Sequence, residues 1–102
     1  MRLVTVAFSS AEDFLKHYSD AYPNGALFCR TRAPVSLREA VLLEISFPGL
    51  PNRALIRGLA VSVKHGTGAW IRWSRFDRRT GEFVCRCAKG DVPEHAPGDV
   101  ST

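Results

Sequence analysis

Ala40-Val41-Leu42-Leu43-Glu44-Ile45-Ser46-Phe47, followed by Pro48-Gly49-Leu50-Pro51-Asn52, is the stretch whose reading decides the fold. Val41, Leu43 and Ile45 fall on one side of an extended chain and Leu42 and Glu44 on the other, the period of a strand with one buried face. The Pro and Gly cluster behind it is the strongest breaker in the sequence and turns the chain. Beyond it, Ala54 to Lys64 forms a second extended run carrying Leu55, Ile56, Leu59, Val61 and Val63, within which Gly58 marks either a bulge or close packing. His65-Gly66-Thr67-Gly68 reverses the direction, Ala69 to Phe76 returns as a strand, and Glu82 to Ala88 offers one more after a turn at Arg79-Thr80-Gly81.

Working toward the N-terminus, Ala26-Leu27-Phe28-Cys29 begins a strand after the turn residues Pro23-Asn24-Gly25, and Leu3, Val4, Val6 and Phe8 make another. Between them Ser9-Ser10-Ala11-Glu12-Asp13 reads as a helix start, a Ser cap followed by acids at the positive end of the helix dipole. Phe14, Leu15 and Tyr18 share one face of that helix. Short strands at regular spacing, separated by Gly and Pro, predict a mainly β domain, a small antiparallel barrel or sandwich. That domain spans residues 1–89. The remainder, 90–102, holds Pro93, Pro97, Gly98 and three acids with little to bury, and is expected to be disordered.

A chain of 102 residues with 45% hydrophobic and 24% charged content fits one globular domain with a modest core. It contains no apolar run long enough to span a bilayer and no signal peptide, so a cytoplasmic location is expected. Three cysteines, Cys29, Cys85 and Cys87, are an odd count without an export signal and are read as reduced thiols. The formal charge of +4 is concentrated between Trp70 and Lys89, where Arg72, Arg75, Arg78, Arg79, Arg86 and Lys89 face only Asp77 and Glu82.

Catalytic and metal chemistry find no foothold in the sequence. Cys85-Arg86-Cys87 followed by His95 lacks the paired spacing of zinc sites; on a strand both thiols point to one face and fill a small apolar site. His17, His65 and His95 are far apart, and no nucleophile elbow, phosphate loop or dinucleotide fingerprint occurs. A non-enzymatic domain without metal or cofactor is therefore expected. The segment Trp70 to Phe76 offers arginines and rings suited to nucleic acid, yet alternation puts Trp70, Arg72, Ser74 and Phe76 on one face and Ile71, Trp73 and Arg75 on the other. Neither is a clean basic platform, so nucleic acid is not the expected partner.

Taken in order, Val6-Ala7-Phe8, Phe14 and Tyr18, Gly25-Ala26-Leu27-Phe28-Cys29-Arg30-Thr31, Ala33-Pro34-Val35, Val41 to Gly49 and Gly68 to Trp73 resemble a PilZ domain. The similarity is to the subgroup abundant in myxobacteria and related proteobacteria, and it covers about residues 2–76. The resemblance implies a six-stranded antiparallel β-barrel. It also implies a cytoplasmic bacterial regulator of motility, pili, exopolysaccharide or cell polarity, usually through binding cyclic di-GMP.

The family grips that ligand with an Arg-x-x-x-Arg ahead of the first strand and an Asp/Asn-x-Ser-x-x-Gly on the turn before the second. Guanidinium groups hold phosphates and guanine edges, and a small turn lets backbone approach. In this sequence only Arg2 stands where the arginine pair is expected. The second motif falls on Asp20-Ala21-Tyr22-Pro23-Asn24-Gly25, with Tyr22 in place of Ser, or one residue later with Ala21, Pro23 and Ala26 in place of all three motif residues.

Charge-assisted contacts contribute ~1.5–3 kcal/mol each, so losing two arginines weakens binding at least about a hundredfold. The expectation is a PilZ-like adaptor acting through a protein partner, without cyclic di-GMP at the usual site. Asp20, Tyr22, Asn24 and Gly25 then form a degenerate motif, and Arg72, Arg75, Arg78 and Arg79 a partner or anion surface. The alternative is a receptor for cyclic di-GMP or another nucleotide that uses those arginines as a non-standard site.

Overall fold

A computed structural model describes residues 1–22, 25–31, 35–50, 53–64, 66–74 and 78–92. The chain runs β1 (Arg2–Ala7), α1 (Ala11–Lys16), β2 (Tyr18–Ser19), β3 (Ala26–Arg30), β4 (Ala40–Ser46), β5 (Ala54–Lys64), β6 (Gly68–Trp73) and α2 (Arg78–Ala88). The domain is mainly β, as its alternating runs require. One six-stranded sheet has the order β1-β4-β5-β6-β3-β2. Inward positions Val4, Val6, Leu27, Cys29, Val41, Leu43, Ile45, Ile56, Ile71 and Trp73 are buried in one cluster, which α1 completes with Phe14 and α2 with Phe83, Val84 and Cys87.

Two features of the expected antiparallel barrel are corrected. β1 pairs with β4 in parallel, Arg2 opposite Val41 through Ala7 opposite Ser46. The connection between these strands carries α1, β2 and β3, a crossover of the length that parallel pairing needs. The sheet is also not closed into a barrel. The free edge of β3 is taken by β2, with Tyr18 opposite Leu27, and the Phe28 N–H donates to the His17 carbonyl at 2.7 Å. Those bonds occupy the edge that β1 would need to close the ring. A small cavity of about 70 Å³, lined by residues including Val6, Phe8, His17 and Phe28, marks the seam.

The helix start is as expected: Ser10 caps α1, its Oγ accepting from the Asp13 N–H at 3.2 Å. The helix ends at Lys16, and Tyr18, expected on its face, stands in β2 instead because the backbone at His17 is drawn into bonding with β3. In β5 the register shift lies between Ala60 and Ser62 rather than at Gly58, which is a close-packing position beside Ile71.

The largest correction concerns residues 82–88, expected as a strand and found in α2. Its buried residues Thr80, Phe83, Val84 and Cys87 recur at helical spacing, so one stripe faces the core and the rest faces solvent. Cys85 and Cys87 consequently do not share a face: Cys85 is exposed and Cys87 buried. Burial pushes the thiols of Cys29 and Cys87 up to about 12. Of the tail, only Gly90, Asp91 and Val92 are described. The Gly90 N–H donates to the Cys87 carbonyl, and the Asp91 N–H to that of Arg86, both at 3.0 Å.

Candidate functional site

The chain leaving β2 and one flank of α2 face one another across a groove of about 370 Å³. Tyr18, Asp20, Tyr22 and Gly25 line one wall; Gly81, Val84, Cys85, Ala88 and Lys89 line the other. The turn is closed by the Gly25 N–H donating to the Tyr22 carbonyl at 2.8 Å, and it is tied to β6 by the Trp73 N–H donating to the Gly25 carbonyl at 3.1 Å. Gly25 has φ +89°, and a Cβ there would stand 2.5 Å from the Tyr18 hydroxyl and 3.0 Å from Trp73 Nε1. Both the conformation and the crowding exclude a side chain.

Tyr18 stacks on Phe14 with ring centroids 5.6 Å apart. Desolvation raises its phenol pKa, helped by the charges of Asp20 and Cys85. Below the turn, the indole N–H of Trp73 is buried without a hydrogen-bond acceptor among the described residues. Asp20 and Lys89 are the acid and the base among the groove's lining residues, and no arginine is among the described residues that line it.

The structure thus brings Asp20, Tyr22 and Gly25 together with α2, a helix where the sequence pattern predicts a strand. Asn24 and Arg75 lie outside the described residues. The remaining arginines do not converge. Arg72 occupies an outward position of β6, opposite Leu59 and Ala26. Arg78 and Arg79 are exposed on the first turn of α2, which packs on the inner side, and Arg78 Nε is held by Glu82 Oε1 at 3.2 Å. Arg86 is paired with Asp91 at 2.9 Å.

A second surface emerges on the outer face of the sheet. Leu42 faces outward from β4, directly between Leu3 of β1 and Arg57 of β5, with Leu55 and Leu59 diagonal to it. Leu3 is 52% exposed, and Leu37, in the turn before β4, 60%. The strand period of each segment places these leucines outward, but their grouping depends on strand order and on the parallel β1–β4 register.

No protein-family model matches the chain, and a comparison with curated proteins returns no match. No helix among the described residues is long and apolar enough to cross a membrane.

Proposed function

We propose that this chain is a PilZ-like regulatory adaptor of the bacterial cytoplasm that works without catalysis, by binding a protein partner in motility, type IV pilus or cell-polarity control. The observation that carries the reading is the leucine group on the outer face. Leu3, which is exposed, and Leu42, Leu55 and Leu59, which are half-buried, sit in neighbouring positions of three adjacent strands, outside the core. Contiguous apolar surface of this kind costs solubility and marks interaction sites. Arg57 at its centre supplies the residue type that interfaces favour.

The groove supports the part of the reading that excludes cyclic di-GMP. One lysine and one aspartate among its lining residues give no net charge against two phosphates. Arg72 stands on β6 and Arg78 and Arg79 on α2, and none of the three is among the groove's lining residues.

Two measurements test the proposal. Affinity capture with the chain retains a partner that the Leu42→Lys, Leu59→Lys variant loses, while both proteins give the same circular dichroism and thermal midpoint. Calorimetric titration with cyclic di-GMP is silent. Binding at micromolar concentration or tighter overturns the adaptor reading in favour of a receptor, and capture unaffected by the double substitution removes the leucine face from it.

A further inference from the structure

Past β5 the outer face changes character. β5, β6 and β3 are consecutive neighbours in the sheet, and none of the three contains an Asp or Glu. Their basic residues, Arg57 and Lys64 of β5, Arg72 of β6 and Arg30 of β3, all occupy outward register positions. Arg2, Arg53, Arg78 and Arg86 each hold a carboxylate. Arg30, Arg57 and Arg72 have no ion-pair partner among the described residues, and the Lys64 ammonium lies 5.9 Å from the centre of the Phe28 ring.

The register arranges these groups in rows. Gly68 is opposite Arg30 on one side and Lys64 on the other, so a buried position without a side chain separates the two cations. A Cβ at Gly68 would run into the Cys29 carbonyl oxygen, so no side chain fits between them. The next outward row is Phe28, Trp70 and Ser62, with the two rings 5.4 Å apart at 61°. The row after it is Ala26, Arg72 and Leu59. Rings are therefore flanked by cations on both sides, over the ~13 Å rise from Gly68 to Arg72 of β6. Alternation along β6 alone shows Trp70 and Arg72 on one face; the strands on either side add Arg30, Phe28 and Lys64 and complete the platform.

We propose that this half of the outer face binds single-stranded nucleic acid. Trp70 gives a base a stacking surface, Arg30 and Lys64 hold one phosphate across Gly68, and Arg72 holds another on the far side of the ring. Stacking needs an exposed base face, which a duplex does not offer. An acidic peptide would meet the same cations but gain nothing from the ring row. This site borders the leucine group, Leu59 lying opposite Arg72, and does not depend on the adaptor reading.

The test is fluorescence anisotropy of a labelled oligothymidylate of about 15 nucleotides with the full chain, across a salt series. Binding is expected to weaken with a log–log salt slope of about −1.4, the value for two phosphate contacts on a single strand. Reversing the slot with Arg30→Glu and Lys64→Glu lowers affinity at low salt by about a hundredfold or more. Trp70→Leu lowers it about tenfold and leaves the slope unchanged. Arg78→Glu with Arg79→Glu, the same change in net charge on α2, leaves binding within about threefold.

Absence of binding at low salt overturns the proposal. So does equal loss from the α2 reversal, which reduces the effect to net charge. Displacement by polyglutamate as effective as by unlabelled oligonucleotide also overturns it and assigns the face to an acidic protein. Thermal midpoints of all variants are compared with the parent, so that affinity lost through unfolding is recognised as such.

Discussion

Leu42 and Leu43 are consecutive on β4 and answer to different demands. Leu43 is fully buried in the core, whereas Leu42 is half-buried on the outer face between Leu3 and Arg57. The same division separates Trp73 from Arg72 on β6 and Cys87 from Cys85 on α2. On the inner side each residue is explained by what it fills. On the outer side the leucines and the cations lie outside the core cluster, and core packing does not account for their grouping.

The comparison is broken most severely at Trp73, the largest of the fully buried side chains. Trp73→Ala is expected to cost about 3–5 kcal/mol, enough to unfold a domain of this size at physiological temperature. Trp70→Ala, one turn of the alternation away on the outer face, is expected to cost less than half of that. Urea unfolding of both variants measures the difference. Near-equal losses would mean that Trp70 is a second core residue and would remove it from any binding surface.

A smaller effect sharpens the comparison between neighbours. Leu43→Ala leaves a cavity and is expected to cost about 2–5 kcal/mol, while Leu42→Ala is expected to cost under about 1 kcal/mol. If Leu42→Ala proves as damaging as Leu43→Ala, the outer leucines support the monomer and their case as a partner surface fails.

At neutral pH the ionisation of the thiols contributes nothing to stability, yet they separate the two sides clearly. A thiol reagent is expected to modify Cys85 in the folded protein and to reach Cys29 and Cys87 only after denaturation. Burial raises the folded-state values of those two to about 12, above the ordinary value of 9.0. Between these limits the unfolded chain has lost protons that the folded chain still holds. Stability therefore falls as pH rises from about 9 toward 12, and is unaffected by these groups below about 9. Unfolding midpoints at pH 8 and pH 10.5, measured on the parent and on Cys29→Ala, show whether that slope belongs to the buried thiol.

The inner side was the legible one. Val41, Leu43 and Ile45 announce β4 by their period, and residues 54–64 form a strand with the bounds their apolar content predicts. The Phe47-Pro48-Gly49 breaker ends β4 as expected, with the Leu50 N–H closing a turn on the Phe47 carbonyl at 3.2 Å. The misreading of α2 has a definite cause. Phe83, Cys85 and Cys87 satisfy a period of two, while Thr80, Phe83, Val84 and Cys87 satisfy the helical one, and only the longer window favours the helix. What joins Asp20 to Lys89, or Arg30 to Lys64, is contact between elements distant in sequence, and no local pattern encodes it.

The smallest effect concerns the start of α2, where the outer residues run against helix electrostatics. Its first turn contains no acid and carries Arg78 and Arg79, placing positive charge at the positive end of the helix dipole. Arg78 is paired with Glu82, but their side chains are 91% and 65% exposed, and a basic residue ahead of its acid is the weaker order for such a pair. Neither arginine is therefore held in place by stability. Arg79→Glu is expected to raise stability by about 0.3–1 kcal/mol at low salt, and the gain should fade as salt is added. A loss in place of that gain would mean that Arg79 supports the fold through contacts of its own, and the division between an explained inner side and an unexplained outer one would not extend to α2.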